Sequence, residues 1–292
     1  MLKVPFNFCG LPKEYSDYSK AAIVILQVPF DKTSTWGKGA DKGPRAIIDA
    51  SRNLELYDIE TGSEVCEKGI ATLKPISAAT VEKLVDATYK RVRELLADKK
   101  FVVTLGGEHS VSIGPIKAHA EAFRDISILH LDAHGDRRDF YMGSKYNHAC
   151  VIARVREFTE NIVSVGIRSM DSSELKLVER DKIFYAHEIY NSEDWIPNVV
   201  EKLTDNVYIT IDLDVFDPSI MPSTGTPEPG GLGWYQVDHL LKAVTERRNV
   251  LGFDIVELAP VKTDRAPDFL AAKLVYKLLS YKFAPHANHP RL

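Results

Sequence analysis

Apolar positions along the chain gather into short runs separated by longer amphipathic stretches. AAIVILQV (21–28), FVVTL (101–105), ISILHL (126–131), NIVSVG (161–166), NVYITI (206–211) and VLGFDIV (250–256) are rich in Val, Ile and aromatics. Their length and continuous apolarity predict strands of a parallel sheet covered on both faces, since a strand with one wet face would alternate. Between Thr80 and Lys99, the residues Val81, Leu84, Val85, Val92, Leu95 and Leu96 recur at i, i+3, i+4 spacing, the mark of one helix face. Gly43-Pro44 opens a second helix into RAIIDASRNLELY (45–57), with Pro suited to a first turn. A third helix starts near Asp268 and carries Leu270, Leu274, Val275 and Leu278. Strand followed by helix, repeated, predicts an α/β fold: three αβα layers around a single, mostly parallel, doubly wound sheet. The Pro/Gly-rich stretch 217–233 reads as a long loop, because the alternation resumes after it. A single domain over residues 1–292 is therefore expected.

Composition narrows the function classes. The 292 residues can bury a substantial core, and 45% hydrophobic with 27% charged residues is ordinary for a soluble globular chain. With 37 Lys plus Arg against 41 Asp plus Glu, the net charge is −4. That balance gives no bulk attraction to nucleic acid or to an anionic membrane. Cys9, Cys66 and Cys150 are an odd set without CxxC spacing, which argues against a disulfide framework and for a reducing, cytoplasmic setting. No apolar run approaches the roughly 18 residues of a membrane helix. The first twenty residues break into Pro, Gly and charge too early for a secretory signal.

Four chemically loaded clusters each follow an apolar run: GGEH (106–109), DAHGD (132–136), DLD (212–214) and Glu257. In open α/β sheets, sites form beyond the carboxyl ends of the strands, so four ends point at one place. Asp132, His134 and Asp136 stand at i, i+2, i+4, and Asp212 and Asp214 at i, i+2; in extended backbone such residues share a face. Crowded carboxylates repel unless a cation lies between them. Four Asp with His109 and His134 suffice for two ions if carboxylates bridge, and mostly oxygen donors suit Mn²⁺ better than Zn²⁺. Taken singly, DxD is also a common capping loop and GGEH a tight turn into a helix. A surface acidic cluster would not explain why apolar strands lead into all four.

At these residues the chain resembles the ureohydrolase family, the arginases and agmatinases. LGGEHS (105–110), LDAHGD (131–136) and IDLDVFDPSIMPSTGTPEPGGL (211–232) match that family's motifs in order and separation. PFDKTSTWGKGADKGPRAI (29–47) and GIRS (166–169) match as well, so the likeness runs from about residue 20 to 280. The resemblance implies an arginase-like fold and two Mn²⁺ per subunit. His109, Asp132, Asp136 and Asp212 would hold one ion, and Asp132, His134, Asp212 and Asp214 the other, with Asp132 and Asp212 bridging. It further implies a bridging hydroxide that attacks a guanidinium carbon and hydrogen-bonds to Asp136, Glu257 pairing with the guanidinium, and His148 in KYNHAC (145–150) as proton shuttle. Glu108 stands where many members carry Asp, and reads as an orienter of the neighbouring His109. A homo-trimer or homo-hexamer is the family's habit.

The segment RRDFYMGSKYN (137–147) lacks the Asn and Ser pattern with which arginases grip an α-carboxylate, and resembles agmatinases, as does TGTPE (224–228). Agmatine hydrolysis to putrescine and urea, a polyamine-forming step, is the expected activity. Aminopropylagmatine, guanidinobutyrate and arginine are the alternative substrates. Asp171 is a candidate partner for a distal ammonium, or equally a helix N-cap. A one-metal amide deacetylase and a non-catalytic guanidino-binding relative are the competing classes. Cys150, two residues after His148, reads as a small buried thiol and not as a nucleophile. His130, inside an apolar run, reads as a core histidine, and His286 and His289 as an exposed tail.

Overall fold

The computed structural model describes residues 4–284; the tail histidines His286 and His289 lie outside them. Eight strands form one sheet: β1 (Ile23–Val28), β2 (Ile70–Thr72), β3 (Phe101–Gly106), β4 (Ile126–Leu131), β5 (Ile162–Ile167), β6 (Ile183–Tyr185), β7 (Asn206–Asp212) and β8 (Asn249–Val256). Their order is β2-β1-β3-β8-β7-β4-β5-β6, and every pairing is parallel. The six predicted strands are all present. The two that the apolar pattern does not predict, β2 and β6, are three-residue edge strands, too short to carry a periodic signal.

Alternate residues of one strand serve different cores. Ile23 and Ile25 of β1 pack into one cluster, which includes Ile47, Val199, Leu240 and Leu274 from the helices Gly43–Ser51, Ile196–Lys202, Trp234–Arg247 and Ala266–Phe283. Val24 and Leu26 pack into the other, with Leu84, Ile116 and Val151 from the helices Val81–Ala97, Ile113–Ala122 and Val151–Val155. Helices thus cover both faces, which is why the strands are apolar on both sides. The helix predicted from Thr80 begins at Val81, with the Thr80 hydroxyl accepting from Lys83 N–H. The helix opened by Gly43-Pro44 stops at Ser51 instead of reaching Tyr57. Ser51 Oγ donates back to the Ile48 carbonyl and accepts the Cys9 N–H, and Leu54 turns into the core outside the helix. Among the described residues no helix is long and apolar enough to cross a membrane.

Candidate metal centre and active site

The strands that lead into the four clusters are contiguous: β3, β8, β7 and β4 are neighbours in that order. Pairings Leu105–Ile255, Asp212–Val256 and Leu131–Ile211 bring their carboxyl ends level. His109, Glu257, Asp212 and Asp132 therefore meet above the middle of the sheet. Extended backbone carries the convergence only in part: Asp212 ends β7 extended, and beyond β4 the chain stays paired as far as His134, which bridges Ser169 in parallel. β4 ends at Leu131, and Asp136 sits beyond it in left-handed backbone at φ 50°. Asp214 lies in a one-turn 3-10 segment, Leu213–Val215, where its N–H donates to Asp212 Oδ1 at 2.9 Å. Local turns aim Asp136 and Asp214, while Asp132, His134 and Asp212 are aimed by extended backbone. Glu257 is also left-handed, at φ 67°. Two acidic residues held in this sparsely populated region beside one site is the kind of strain that functional sites retain.

His109 is buried, and its Nδ1 lies 3.0 Å from Asp132, 3.1 Å from Asp136 and 3.4 Å from Asp212. That nitrogen nevertheless has no hydrogen-bond partner. His134 Nδ1 stands 2.9 Å from Asp214 Oδ2 and 3.5 Å from Asp132 Oδ1. Burial and the neighbouring Asp214 and Asp132 hold the Asp212 carboxyl well above the usual range, and burial with Asp132 pushes Asp136 up to about 7. Burial would pull the His134 imidazole down, but Asp214 and Asp132 outweigh it and hold it up at about 12. Protons on the raised carboxyls and on His134 thus stand where positive charge is wanted, and a cation in their midst would let Asp136 and Asp212 ionise. Asp132, His134 and Asp214 bring ligand atoms close enough to hold one ion, and so do His109, His130 and Asp132. The orphaned Nδ1, ringed by carboxylate oxygens about one coordination edge away, fits a divalent metal.

Residues outside the motifs orient these ligands. Thr210 Oγ1 donates to Asp254 Oδ1 at 2.6 Å, so it must accept from His109 Nε2 at 3.0 Å. That assigns the proton of His109 to Nε2 and turns the Nδ1 lone pair to the cluster. Asp254 also accepts from Tyr208 and Ser112. Neither Thr210 nor Asp254 is picked out by the sequence motifs. The one available signal was a carboxylate in the middle of the apolar run VLGFDIV, where a charge is expensive unless satisfied. His130 is buried in β4 as expected for a core histidine, and its Nε2 meets Asp132 Oδ2 at 2.8 Å while Nδ1 meets Ser164. It steadies the Asp132 carboxylate as well as filling the core.

Glu108 does not orient His109 through its side chain, as its place in the motif suggested. Its carboxylate accepts from Thr33 N–H, Ser34 N–H, the Thr33 hydroxyl and the Ser110 hydroxyl. Those bonds pin the loop after β1 against the site. Gly107 makes this possible: a Cβ there would lie 1.9 Å from the Phe30 carbonyl oxygen. His109 N–H is instead held by Glu257 Oε1 at 2.7 Å. Burial and the neighbouring Glu108 raise the Glu257 carboxyl well above its ordinary value.

His109, His134, Asp136, Asp212, Asp214, His148, Asp171 and Glu257 line one cavity of about 270 Å³. Burial pushes the His148 imidazole down to about 4. Asp171 accepts from Ser173 N–H and Oγ as an N-cap within a capping box, and its Oδ2 stands 3.6 Å from Arg138. It is at once a cap and a wall of the cavity. Cys150 is fully buried, and burial pushes its thiol up to about 11, so it is no nucleophile at neutral pH.

Residues 21–280 match the arginase family profile. The chain is 36% identical to an N(1)-aminopropylagmatine ureohydrolase of Synechocystis sp., covering 95% of this chain and 96% of that one. It is 40% identical to an N(1)-aminopropylagmatine ureohydrolase of Thermus thermophilus, covering 91% and 92%. The crystal structure of agmatine ureohydrolase of Thermoplasma volcanium superposes with a TM-score of 0.85 at 32% identity, over 96% of this chain and 95% of that one. With the profile spanning most of the chain and the His/Asp cluster assembled at the strand ends, the chain belongs to the arginase family of ureohydrolases, on its agmatinase-like side, and is a hydrolase.

Proposed function

We propose that the enzyme hydrolyses the guanidinium group of agmatine to putrescine and urea, with two Mn²⁺ per subunit. The observation that carries this reading is the sharing of one cavity by the His/Asp cluster, Glu257 and His148. His109, Asp132, Asp136 and Asp212 would hold one ion, and Asp132, His134, Asp212 and Asp214 the other. The orphaned Nδ1 of His109 supports the first set, and the approach of His134 to Asp214 and Asp132 supports the second. Oxygen donors with two imidazoles favour Mn²⁺ over Zn²⁺. When bound, such a pair supplies the charge that lets water ionise at neutral pH.

The protein's own groups do the rest. Glu257 spends Oε1 on His109 N–H, which leaves Oε2 to pair with the planar guanidinium beside the cluster. Asp136, aimed inward by its left-handed backbone, accepts a hydrogen bond from the attacking water. As the carbon–nitrogen bond to the butylamine breaks, that amine needs a proton. His148, neutral at pH 7, can take up a proton that the attacking water gives up and deliver it to that amine.

Arg138 is the only Arg or Lys lining the cavity among the described residues, and Asp171 and Glu174 each stand 3.6 Å from it while its guanidinium lies over Tyr141. Its charge is already matched, which disfavours a substrate that needs a carboxylate bound, such as arginine or guanidinobutyrate. The names of the Synechocystis and Thermus relatives favour a second substrate, N(1)-aminopropylagmatine, which has the same guanidinobutyl head and a longer tail. A urea assay on Mn²⁺-loaded protein, comparing agmatine, aminopropylagmatine, guanidinobutyrate and arginine, tests both. Urea from none of them would end the proposal. The trimer or hexamer expected from the family is part of it too, and sedimentation at assay concentration decides it.

A further inference from the structure

We infer that Thr33 and Glu108 are positioning residues for His148, fixing its proton on Nδ1 so that Nε2 is the nitrogen that exchanges a proton with the substrate. The inference rests on the role proposed for His148; Thr33 is outside the proposed ligand set, and Glu108, though next to His109 in the chain, turns its carboxylate to the Thr33 loop. Thr33 lies in the loop after β1, 115 residues from His148 in sequence, yet Thr33 Oγ1 stands 3.3 Å from His148 Nδ1 and accepts the His148 backbone N–H at 3.0 Å. The same oxygen donates to Glu108 Oε1 at 2.7 Å.

A hydroxyl has one proton and two lone pairs. The Thr33 proton goes to the carboxylate, the stronger and nearer acceptor, so toward His148 the oxygen can only accept. The ring nitrogen facing it must therefore carry a hydrogen. Glu108 is committed to this arrangement by its other bonds, because Thr33 N–H, Ser34 N–H and the Ser110 hydroxyl occupy its remaining acceptor positions. The Nε2 of His148 has no protein hydrogen bond among the described residues. A neutral ring with Nδ1–H has its lone pair on Nε2, and that atom receives the proton and passes it to the departing amine nitrogen. The 3.3 Å separation is long for a hydrogen bond, as such contacts often are before substrate arrives.

This chain Glu108–Thr33–His148 parallels Asp254–Thr210–His109: in each, an acid claims the Thr proton and the Thr oxygen then dictates which imidazole nitrogen is protonated. The test uses full-length Thr33→Val and Thr33→Ser, with thermal melting and bound metal measured for each. Histidine ¹⁵N spectra of the metal-free protein, assigned with His148→Ala, report the tautomer directly. We expect Nδ1–H in the wild type and Thr33→Ser, and a mixture or the Nε2–H form in Thr33→Val. In Mn²⁺-loaded protein, Thr33→Val should lower kcat about 10–100-fold with KM little changed, and Thr33→Ser should restore it. A wild-type tautomer and wild-type kcat in folded, metal-replete Thr33→Val would overturn the inference. If the wild type releases urea from no guanidino compound, the functional proposal fails, while the ¹⁵N spectra still decide whether Thr33 sets the tautomer.

Discussion

Thr210 Oγ1 lies 3.0 Å from His109 Nε2, on the side of the imidazole away from the carboxylates. Because Thr210 gives its proton to Asp254, this contact keeps a proton on Nε2, so that Nδ1, which faces Asp132, Asp136 and Asp212, is the nitrogen a cation would compete for. A hydroxyl and an acid outside the cavity lining thus set which nitrogen of a cavity-lining histidine carries the proton.

Thr210→Val removes that bond at nearly constant volume. Metal affinity, measured by chelator competition, should fall about 10–100-fold. Thr210→Ser should stay near the wild type. Unchanged affinity in the Val variant would mean that the His109 ring is held by packing alone.

His148→Ala should leave metal content intact and lower kcat about 10²–10⁴-fold, the scale of one positioned proton-transfer group. Exogenous imidazole should recover part of the loss. A variant as fast as the wild type in steady-state urea release would remove His148 from the reaction.

Metal affinity should fall as pH falls. Asp136 is pushed up to about 7 from 3.8 by burial and by Asp132, so a cation must displace the proton it still holds near pH 6, and the upward shift of Asp212 acts in the same direction. The sign for the metal-free protein is opposite. The folded chain binds more protons than the unfolded chain between about 3.8 and 7, so the contribution of Asp136 is fully present below 3.8 and lost as pH rises through about 7. Melting temperatures with and without Mn²⁺ across pH 5–8 should therefore diverge as pH rises.

Asp171→Asn separates the two roles of that residue. Asn caps a helix about as well as Asp, so the melting temperature should hold. If the charge meets the substrate's distal ammonium, KM for agmatine should rise about fivefold, the worth of a partly exposed ion pair. An unmoved KM would leave Asp171 as a cap and a partner of Arg138 only.

Gly107→Ala tests how the loop after β1 is seated. Its new Cβ would meet the Phe30 carbonyl oxygen at 1.9 Å, a backbone collision that no rotamer relieves. A loss of about 1–3 kcal/mol in denaturant unfolding is expected, with kcat falling as Thr33 and Glu108 are pushed apart.

The sequence by itself determined the strands that carry the site, the covered faces of the sheet, and the candidate residues that follow those strands. Continuous apolar runs and the motifs that follow them are local features, written in consecutive residues. Strand order is not local: only the folded sheet sets β8 and β7 between β3 and β4, which joins Glu257 and Asp212 to His109 and Asp132. The even spacing of Asp132, His134 and Asp136 describes the first two, which stay on sheet-paired backbone, but not Asp136, which a left-handed turn brings to the cluster. The place of Glu108 in the chain suggests His109 as its partner, whereas its carboxylate meets Thr33 and Ser34, about 75 positions away. Thr210 and Asp254 drew no notice, because an isolated Thr or Asp in an apolar strand acquires its meaning from what the next strand places beside it. Which hydroxyl faces which imidazole is set by sheet register and loop seating, and those are properties of contacts between distant segments that no reading along the chain contains.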